Sequence, residues 1–273
     1  MLPVIFKWGS FTLYSYGLMV GIAFLTAILL AIYRSKGSGF QTFEAFEMGV
    51  YGAFICLIGS RLLYVLANWS YYSRHLVEIL RIWDGGFILY GGLLPLFLLP
   101  FFIGHPDVWQ ALDLFTPSIP LGMALGRIGC FLNGCCWGLI SESWGISFPA
   151  ANQPPVFQQQ VREGLIRPDS ACTLPVLPTQ LYSAAADIGI FLLILRLEKK
   201  TRYPGFMFWF FALVYTLVRF TIEIFRYHKP WEMLSTSPPL SLSQTTSLVF
   251  AAYAIIMLLV LKQRARRVVS PTQ

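Results

Sequence analysis

The sequence predicts an all-α polytopic membrane protein with about seven transmembrane helices. Hydrophobic residues make up 56% of the chain and charged residues only 12%, whereas soluble globular proteins carry about 25% charged residues. Seven apolar stretches are long enough, or nearly long enough, to cross a bilayer. They cover residues 13–33, 44–67, 87–103, 111–133, 179–197, 204–225 and 244–261. No repeat of fixed period is present, so we expect a single integral membrane domain over residues 1–273.

Two of these stretches carry additional signals. The first ends at the basic residues Arg34 and Lys36 without a small-residue cleavage site, so we expect a retained span rather than a signal peptide. The fourth contains Pro117 and Pro120 as well as Arg127. Prolines and charges inside a span predict a helix that is broken or that lines a cavity.

The connection between the fourth and fifth stretches, residues 139–178, is the longest in the chain. It contains six prolines and shows little hydrophobic periodicity. Loops of this length are usually functional or disordered. Two interpretations are open here: a small external head that receives a substrate, or a mobile external loop.

Lysine and arginine are denser on one side of the predicted bundle. If the C-terminus is inside, the cytoplasmic segments are 34–40, 104–110, 196–203 and 262–273, and three of them, 34–40, 196–203 and 262–273, are short and rich in Lys and Arg. By the positive-inside rule we expect the N-terminus outside and the C-terminus in the cytoplasm. Anionic lipid headgroups beside these segments account for the net charge of +7. Membrane lipids are therefore expected partners, and nucleic acid is not, because the sequence contains no nucleic-acid-binding module.

The five cysteines do not match a known ligand pattern. Cys130, Cys135 and Cys136 are close in sequence, but the three histidines that could complete a zinc site are scattered along the chain. We therefore expect no metal site, and we interpret these three cysteines as small apolar side chains.

Charged residues inside the predicted spans are the strongest functional signal: Arg61, Arg127, Arg219 and Glu223. A charge at the bilayer centre costs about 2.5–3.5 kcal/mol on insertion scales, so such residues face a cavity, pair with each other or bind a charged ligand. Glycines flank Arg127 and would let a lipid headgroup approach, and a guanidinium group binds phosphate through two hydrogen bonds. The alternative is a helix-packing role in which Arg127 caps a helix end or pairs with Asp113.

Three charged residues follow one another at helical spacing near the end of the sixth stretch. Arg219 and Glu223 are four residues apart and share a helix face, and Arg226 follows three residues later. The arrangement fits either a self-neutralising structural network or a carboxylate that orients Arg219 toward a ligand phosphate.

Four polar residues near span ends complete the set of candidates: Tyr16, Tyr90, Asn133 and Gln180. Tyrosines at such positions usually anchor a helix at the membrane interface. Tyr16 and Tyr90 fall on the same, external side, which keeps a catalytic role open. Asn133 and Gln180 each need a hydrogen-bond partner if they are buried.

Several motifs occur in an order that is characteristic of one family. Residues 126–134 read Gly-Arg-Ile-Gly-Cys-Phe-Leu-Asn-Gly, and Trp-Gly follows at 137–138. Supporting motifs lie at 16–19, 59–64, 83–86, 178–182, 219–226 and 242–244. Together they resemble the bacterial phosphatidylglycerol–prolipoprotein diacylglyceryl transferases, whose signature is Gly-Arg-x-Gly-Asn-Phe-x-Asn-Gly.

The resemblance implies a reaction and a location. Such enzymes transfer the diacylglyceryl group of phosphatidylglycerol to the lipobox cysteine thiol of a preprolipoprotein signal peptide and release glycerol phosphate. They work in the bacterial cytoplasmic (inner) membrane without metal or other cofactor. By this resemblance Arg127 binds the lipid phosphate, Arg219 stabilises the leaving group or positions the headgroup, and Glu223 holds Arg219. The other residues implied for the substrate pocket are Tyr16, Arg61, Asn133, Gln180 and Arg226.

Four positions depart from the family pattern. Tyr90 replaces a typical histidine, Cys130 an asparagine, and Cys135 and Ser183 acidic residues. The identity of the general base is left open by these changes, with Tyr90 as the catalytic candidate, while both arginines are kept. Two alternatives stay open as well: a non-catalytic phospholipid-binding or transport relative, and a related transferase with another acceptor.

Overall fold

The structure is a computed structural model that describes residues 3–8, 11–37, 39–81, 86–88, 91, 108–199, 203–228, 233–236 and 239–269. In chain order its elements are β1 (Val4–Trp8), β2 (Phe11–Tyr14), α1 (Ser15–Ser35), α2 (Thr42–Ala67), α3 (Trp69–Tyr72), a 3₁₀ helix (Leu76–Leu80), α4 (Val108–Phe115), α5 (Ser118–Asn133), α6 (Pro155–Arg162), α7 (Thr179–Glu198), α8 (Phe206–Glu223), β3 (Met233–Thr236), β4 (Pro239–Ser241) and α9 (Leu242–Val269).

Six helical stretches of the described chain are long and apolar enough to cross a membrane: Ser15–Ser35, Thr42–Ala67, Val108–Asn133, Thr179–Glu198, Phe206–Glu223 and Leu242–Arg267. A helix rises 1.5 Å per residue, so about 20 residues match a hydrocarbon core of about 30 Å. The predicted all-α polytopic class is therefore confirmed. The predicted span 87–103 lies almost entirely outside the described residues and stays a prediction.

The fourth predicted span is broken, as its prolines indicated. Helix α4 ends at Phe115 and α5 begins at Ser118, with Pro117 between them. Proline has no backbone N–H to donate and its ring disfavours a helical conformation of the preceding residue. The break therefore follows directly from the sequence.

The chain forms two compact units, and the first comprises residues 1–26 and 116–273. In it α7 packs against α5 and α8, and α8 packs against α9. The buried side chains between α7 and α8 are Ile190, Ile194, Met207 and Phe211.

Two short antiparallel hairpins precede helices: β1 with β2 before α1, and β3 with β4 before α9. Neither hairpin was expected, because their strands are only three to five residues long.

Residues 139–178 form a folded lobe in the first unit rather than an unstructured loop. Phe148, Val156 and Val176 are buried together, and Phe131 and Trp137 pack against them. Backbone hydrogen bonds link the two ends of the lobe, for example from the Leu177 N–H to the Leu139 carbonyl. The segment is therefore folded, while its place outside the membrane and its role in receiving a substrate stay predictions.

The second unit comprises residues 27–115. Its buried cluster joins Phe40, Ala45 and Met48 to Ala111 and Leu114 of α4. Helix α2 starts with a reciprocal cap, since the Glu44 carboxylate accepts a hydrogen bond of 3.1 Å from the Gln41 N–H.

Candidate active site

Glu223, the last residue of α8, is the centre of a buried ion-pair network. Its side chain is 1% exposed. The Oε2 atom lies 2.6 Å from Nη2 of Arg219, and Oε1 lies 3.3 Å from Nη1 of Arg226. His228 contributes a ring nitrogen 3.7 Å from Oε1. One carboxylate therefore pairs with two guanidinium groups, and Nη1 of Arg226 also donates a charge-assisted hydrogen bond to Oε1.

Arg127 on α5 lies next to this network. It interacts electrostatically with Tyr215, which precedes Arg219 by one helical turn and so shares its face of α8. Arg127 also interacts electrostatically with Arg219 and with Asp187 of α7. Helices α5, α7 and α8 thus bring the two predicted arginines to one place.

Asp187 was not among the residues that the sequence singled out. Its side chain is 2% exposed, and its Oδ2 atom has no hydrogen-bond partner among the described residues. A buried carboxylate is unfavourable unless it is compensated, and the nearby charges of Arg127 and Arg219 offset part of that cost. The sequence does contain a signal for Asp187, because an acidic residue inside a predicted span, here 179–197, indicates a functional position.

The chain turns sharply after α5. Gly134 has φ +71° in the left-handed region that glycine adopts without strain, and Cys136 has φ +58°. This turn brings the sulfur atoms of Cys130, Cys135 and Cys136 within 4.8 Å of one another. Hydrogen bonds from the Cys130 and Cys135 thiols, together with the charge of Arg226, hold the pKa of Cys136 below its usual range.

The start of α7 anchors the same turn. The Gln180 side chain is 1% exposed, and its Nε2 donates a hydrogen bond of 2.6 Å to the Cys135 carbonyl. The Thr179 hydroxyl donates one of 2.8 Å to the Cys136 carbonyl. Gln180 therefore has the partner that its burial requires, while its Oε1 has none among the described residues.

Tyr16 approaches the site from α1. A Cβ atom placed on Gly129 would lie 2.9 Å from Cβ of Met19 and 3.5 Å from Cα of Tyr16, so only glycine permits this approach of α1 to α5. Tyr16 interacts electrostatically with Arg127 and with the three cysteines. Asn133 is the last residue of α5 and is half-buried.

A cavity of about 300 Å³ opens beside the turn. Its lining includes Cys135, Cys136, Arg162 and Arg226, with Tyr227 stacked on Trp137 at one wall. Two guanidinium groups in one small cavity favour an anionic ligand, because each adds positive potential where water is partly excluded.

Arg61, one of the two remaining predicted residues, belongs to the second unit. Arg61 is 6% exposed, and its guanidinium donates hydrogen bonds to the carbonyls of Ile79, Gly86, Glu78 and Arg81. It also lies over the rings of Tyr64 and Tyr72. Arg61 thereby fixes the chain that follows α3. Tyr90 lies outside the described residues, and its role stays a prediction.

Comparison with known proteins agrees with these motifs. The model of a family described as prolipoprotein diacylglyceryl transferase matches residues 3–260. A phosphatidylglycerol–prolipoprotein diacylglyceryl transferase of Pasteurella multocida is 31% identical over 271 residues, covering 96% of this chain and 93% of the relative. The protein of the same name from Limosilactobacillus reuteri is 30% identical over 268 residues, covering 96% and 92%.

A third relative of that name, from Thermosynechococcus vestitus, is 30% identical over 250 residues and covers 89% of this chain and 87% of its own length. The family match extends over both compact units and reaches every helix described above. The chain is a multi-pass membrane protein that belongs to the prolipoprotein diacylglyceryl transferase family.

Proposed function

We propose that this protein transfers the diacylglyceryl group of phosphatidylglycerol to the lipobox cysteine thiol of preprolipoproteins. Membership of the family and the names of the relatives support the two substrates. The observation that carries the proposal for this chain is the pair Arg127 and Arg219, which lie near each other inside membrane-spanning helices, with Arg219 in an ion pair with Glu223.

The site chemistry fits an alkyl transfer to sulfur. The thiol releases its proton and its sulfur forms a bond to the glyceryl carbon. The bond from that carbon to the phosphate oxygen breaks, and the electron pair leaves with glycerol phosphate. Negative charge therefore grows on the phosphate as the reaction proceeds, and guanidinium groups already held in place stabilise it without reorganising.

Each predicted residue receives a role in this proposal. Arg127 binds the phosphate, and Arg219 stabilises the leaving group while Glu223 keeps it oriented. Tyr16 and Asn133 shape the headgroup pocket, and Gln180 supports it by fixing the turn at Cys135. Arg61 acts through the loop that it anchors, and Tyr90 is the candidate for the general base.

We also propose that the protein lies in the bacterial cytoplasmic membrane with its N-terminus outside and its C-terminus in the cytoplasm. The basic residues at the ends of α1, α7 and α9 support this orientation: Arg34, Arg196, Arg266 and Arg267. The folded lobe at 139–178 would then face outward, where a preprolipoprotein signal peptide presents its cysteine.

The test is release of glycerol phosphate from phosphatidylglycerol by the purified full-length protein in detergent, with a lipobox peptide or the same peptide carrying alanine for its cysteine. We expect release with the cysteine peptide only. Binding of phosphatidylglycerol without release by folded protein would contradict the proposal and favour a non-catalytic lipid-binding relative. Release that is independent of the cysteine would favour another acceptor.

Arginine variants test the site itself. Arg127→Ala and Arg219→Ala are each expected to reduce turnover by about 100-fold or more, the usual effect of removing one preorganised charge or donor. Arg167→Ala is the matched control, because Arg167 is exposed on the lobe, and it should keep wild-type activity. Full turnover of either site variant would remove that arginine from the mechanism.

A further inference from the structure

We propose that Cys130, Cys135 and Cys136 bind one thiophilic d¹⁰ metal ion, Zn²⁺ or Cu⁺, at the end of α5. This site is additional to the transferase function and does not depend on it. The sequence predicted no metal site, because the histidines are scattered and the cysteines lack a second pair. The turn after α5 changes that expectation, because it brings together the three cysteine side chains. Their spacing in the sequence alone did not predict a common site.

The geometry of the cluster is close to that of a tris-thiolate site. The three sulfur atoms lie within 4.8 Å of one another. Thiolates bound at about 2.3 Å to a tetrahedral ion lie roughly 3.8 Å apart, so small side-chain rotations close the site. In the described part of the chain this is the one group of three ligating side chains that converge in this way.

The backbone holds two of the three ligands in position. Gly134 lets the chain reverse after α5, and the side chains of Thr179 and Gln180 bind the carbonyls of Cys136 and Cys135. Ligands that are positioned before binding lose little conformational freedom when an ion arrives, and hydrogen bonds that hold them strengthen a metal site.

The surroundings determine the class of ion. Three sulfur ligands without a carboxylate select soft or borderline ions and disfavour Mg²⁺ and Ca²⁺, which require oxygen ligands. The positive charges of Arg127 and Arg226 lie near Cys136 and complement the net negative charge of a tris-thiolate complex. Cys135 and Cys136 also line the cavity of about 300 Å³, which provides an entry path and space for a water ligand.

The experiment measures metal bound to the purified full-length protein in detergent. Samples are loaded with Zn²⁺, or with Cu⁺ under anaerobic reducing conditions, freed of excess ion by gel filtration, and analysed by inductively coupled plasma mass spectrometry. We expect about one ion per chain for wild type, with the retained element identifying the ion. Co²⁺ loading should add a thiolate-to-cobalt charge-transfer band in the near ultraviolet.

Two cysteine variants make the test specific. The triple variant C130S/C135S/C136S should lose the ion and the cobalt band, whereas C56S/C172S should keep both, since those cysteines lie outside the cluster. Because the triple variant could unfold, Cys135→Ser alone serves as a milder change, expected to weaken affinity about tenfold or more. Zn²⁺ should raise the unfolding temperature of wild type and of C56S/C172S only.

Three results would overturn the inference. Wild-type protein that retains neither Zn²⁺ nor Cu⁺ after gel filtration has no such site. Equal metal content in wild type and in the folded triple variant would place the ion elsewhere. A disulfide among the three cysteines in the purified protein, detected by peptide mass spectrometry, would assign the cluster to redox pairing instead.

Discussion

At the scale of single residues, the site is a balance of opposite charges inside the membrane-spanning helices. Arg127 and Arg219 carry two positive charges, and the carboxylate of Glu223 and the carboxyl group of Asp187 lie beside them. Neutrality lowers the free energy of inserting these groups into the bilayer. Binding of an anionic phosphate then requires only a shift within an existing network, because the cations are already desolvated and oriented.

Glu223→Gln tests whether that network orients Arg219. The substitution keeps the shape of the side chain but removes the charge that pairs with Arg219 and Arg226. Breaking a buried ion pair typically costs about 3–5 kcal/mol, so we expect a lower unfolding temperature in detergent. Misorientation of Arg219 should also reduce glycerol phosphate release by about 100-fold.

Glu142→Gln provides the control for that change, since Glu142 is exposed on the lobe. It should leave both the unfolding temperature and turnover at the wild-type value. An active Glu223→Gln protein with a normal kcat would mean that the carboxylate serves stability alone.

Asp187→Asn examines the residue that the sequence did not identify. This substitution keeps the volume of the side chain while replacing the carboxyl group beside Arg127 and Arg219 with a neutral amide. We expect kcat/KM for phosphatidylglycerol to fall about tenfold, because an amide offsets the repulsion between the two guanidinium groups less than a carboxyl group does. Turnover measured over a range of lipid concentrations separates a lower kcat/KM from a loss of folded protein. An unchanged kcat/KM would exclude Asp187 from the site.

The sequence singled out Arg127, Arg219 and Glu223 but not Asp187, and it predicted contacts only between residues of one helix. Arg219 and Glu223 were expected to meet because four residues separate them on one helix. Arg127 meets Tyr215 and Asp187 only through the packing of α5, α7 and α8. No local spacing encodes such contacts between helices.

At the scale of elements, the close approach of α1 and α5 depends on Gly129. Its absent side chain lets Met19 and Tyr16 of α1 lie against the backbone of α5. Small residues at helix contacts are the usual means of close packing in membranes, where water supplies no hydrophobic driving force between helices. The position of Tyr16 near Arg127 therefore depends on a glycine of the signature motif.

Gly129→Ala is expected to push the two helices apart. The new Cβ would lie 2.9 Å from Cβ of Met19, an atom that cannot rotate away, and overpacking of this kind costs about 1–3 kcal/mol. Gly126→Ala on the same helix is a matched control, because a Cβ there meets nothing within 4 Å. Thermal unfolding should show Gly129→Ala destabilised and Gly126→Ala equal to wild type or slightly more stable. Equal unfolding temperatures for the two variants would refute the close-contact argument.

The membrane-spanning helices were predictable where the length of an apolar stretch determines the helix. The predicted span 44–67 corresponds to Thr42–Ala67 and the predicted span 204–225 to Phe206–Glu223. The turn after α5 was not predictable, since it rests on left-handed conformations of Gly134 and of Cys136, a residue that rarely adopts them. The folded lobe was left open because its core is formed by residues far apart in sequence, such as Phe148 and Val176.

At the scale of the whole molecule, the function requires the lobe and the arginine network to be accessible from the outer side of the membrane. The lobe joins the network directly, because the Leu139 N–H donates a hydrogen bond of 2.9 Å to the carbonyl of Phe225, next to Arg226. A secreted preprolipoprotein presents its cysteine near the outer surface. The orientation proposed from the basic helix ends therefore has to agree with the position of the lobe.

Cysteine labelling in intact cells measures that orientation. In a variant that retains Cys172 and replaces Cys56, Cys130, Cys135 and Cys136 with serine, Cys172 is exposed on the lobe and should react with a membrane-impermeant maleimide added to spheroplasts. In the same background with Cys172→Ser and Thr272→Cys, labelling should require permeabilised membranes, because basic segments are retained in the cytoplasm. The reverse pattern would place the lobe in the cytoplasm, away from the lipobox cysteine of an exported chain, and would contradict the proposed transferase function together with the orientation.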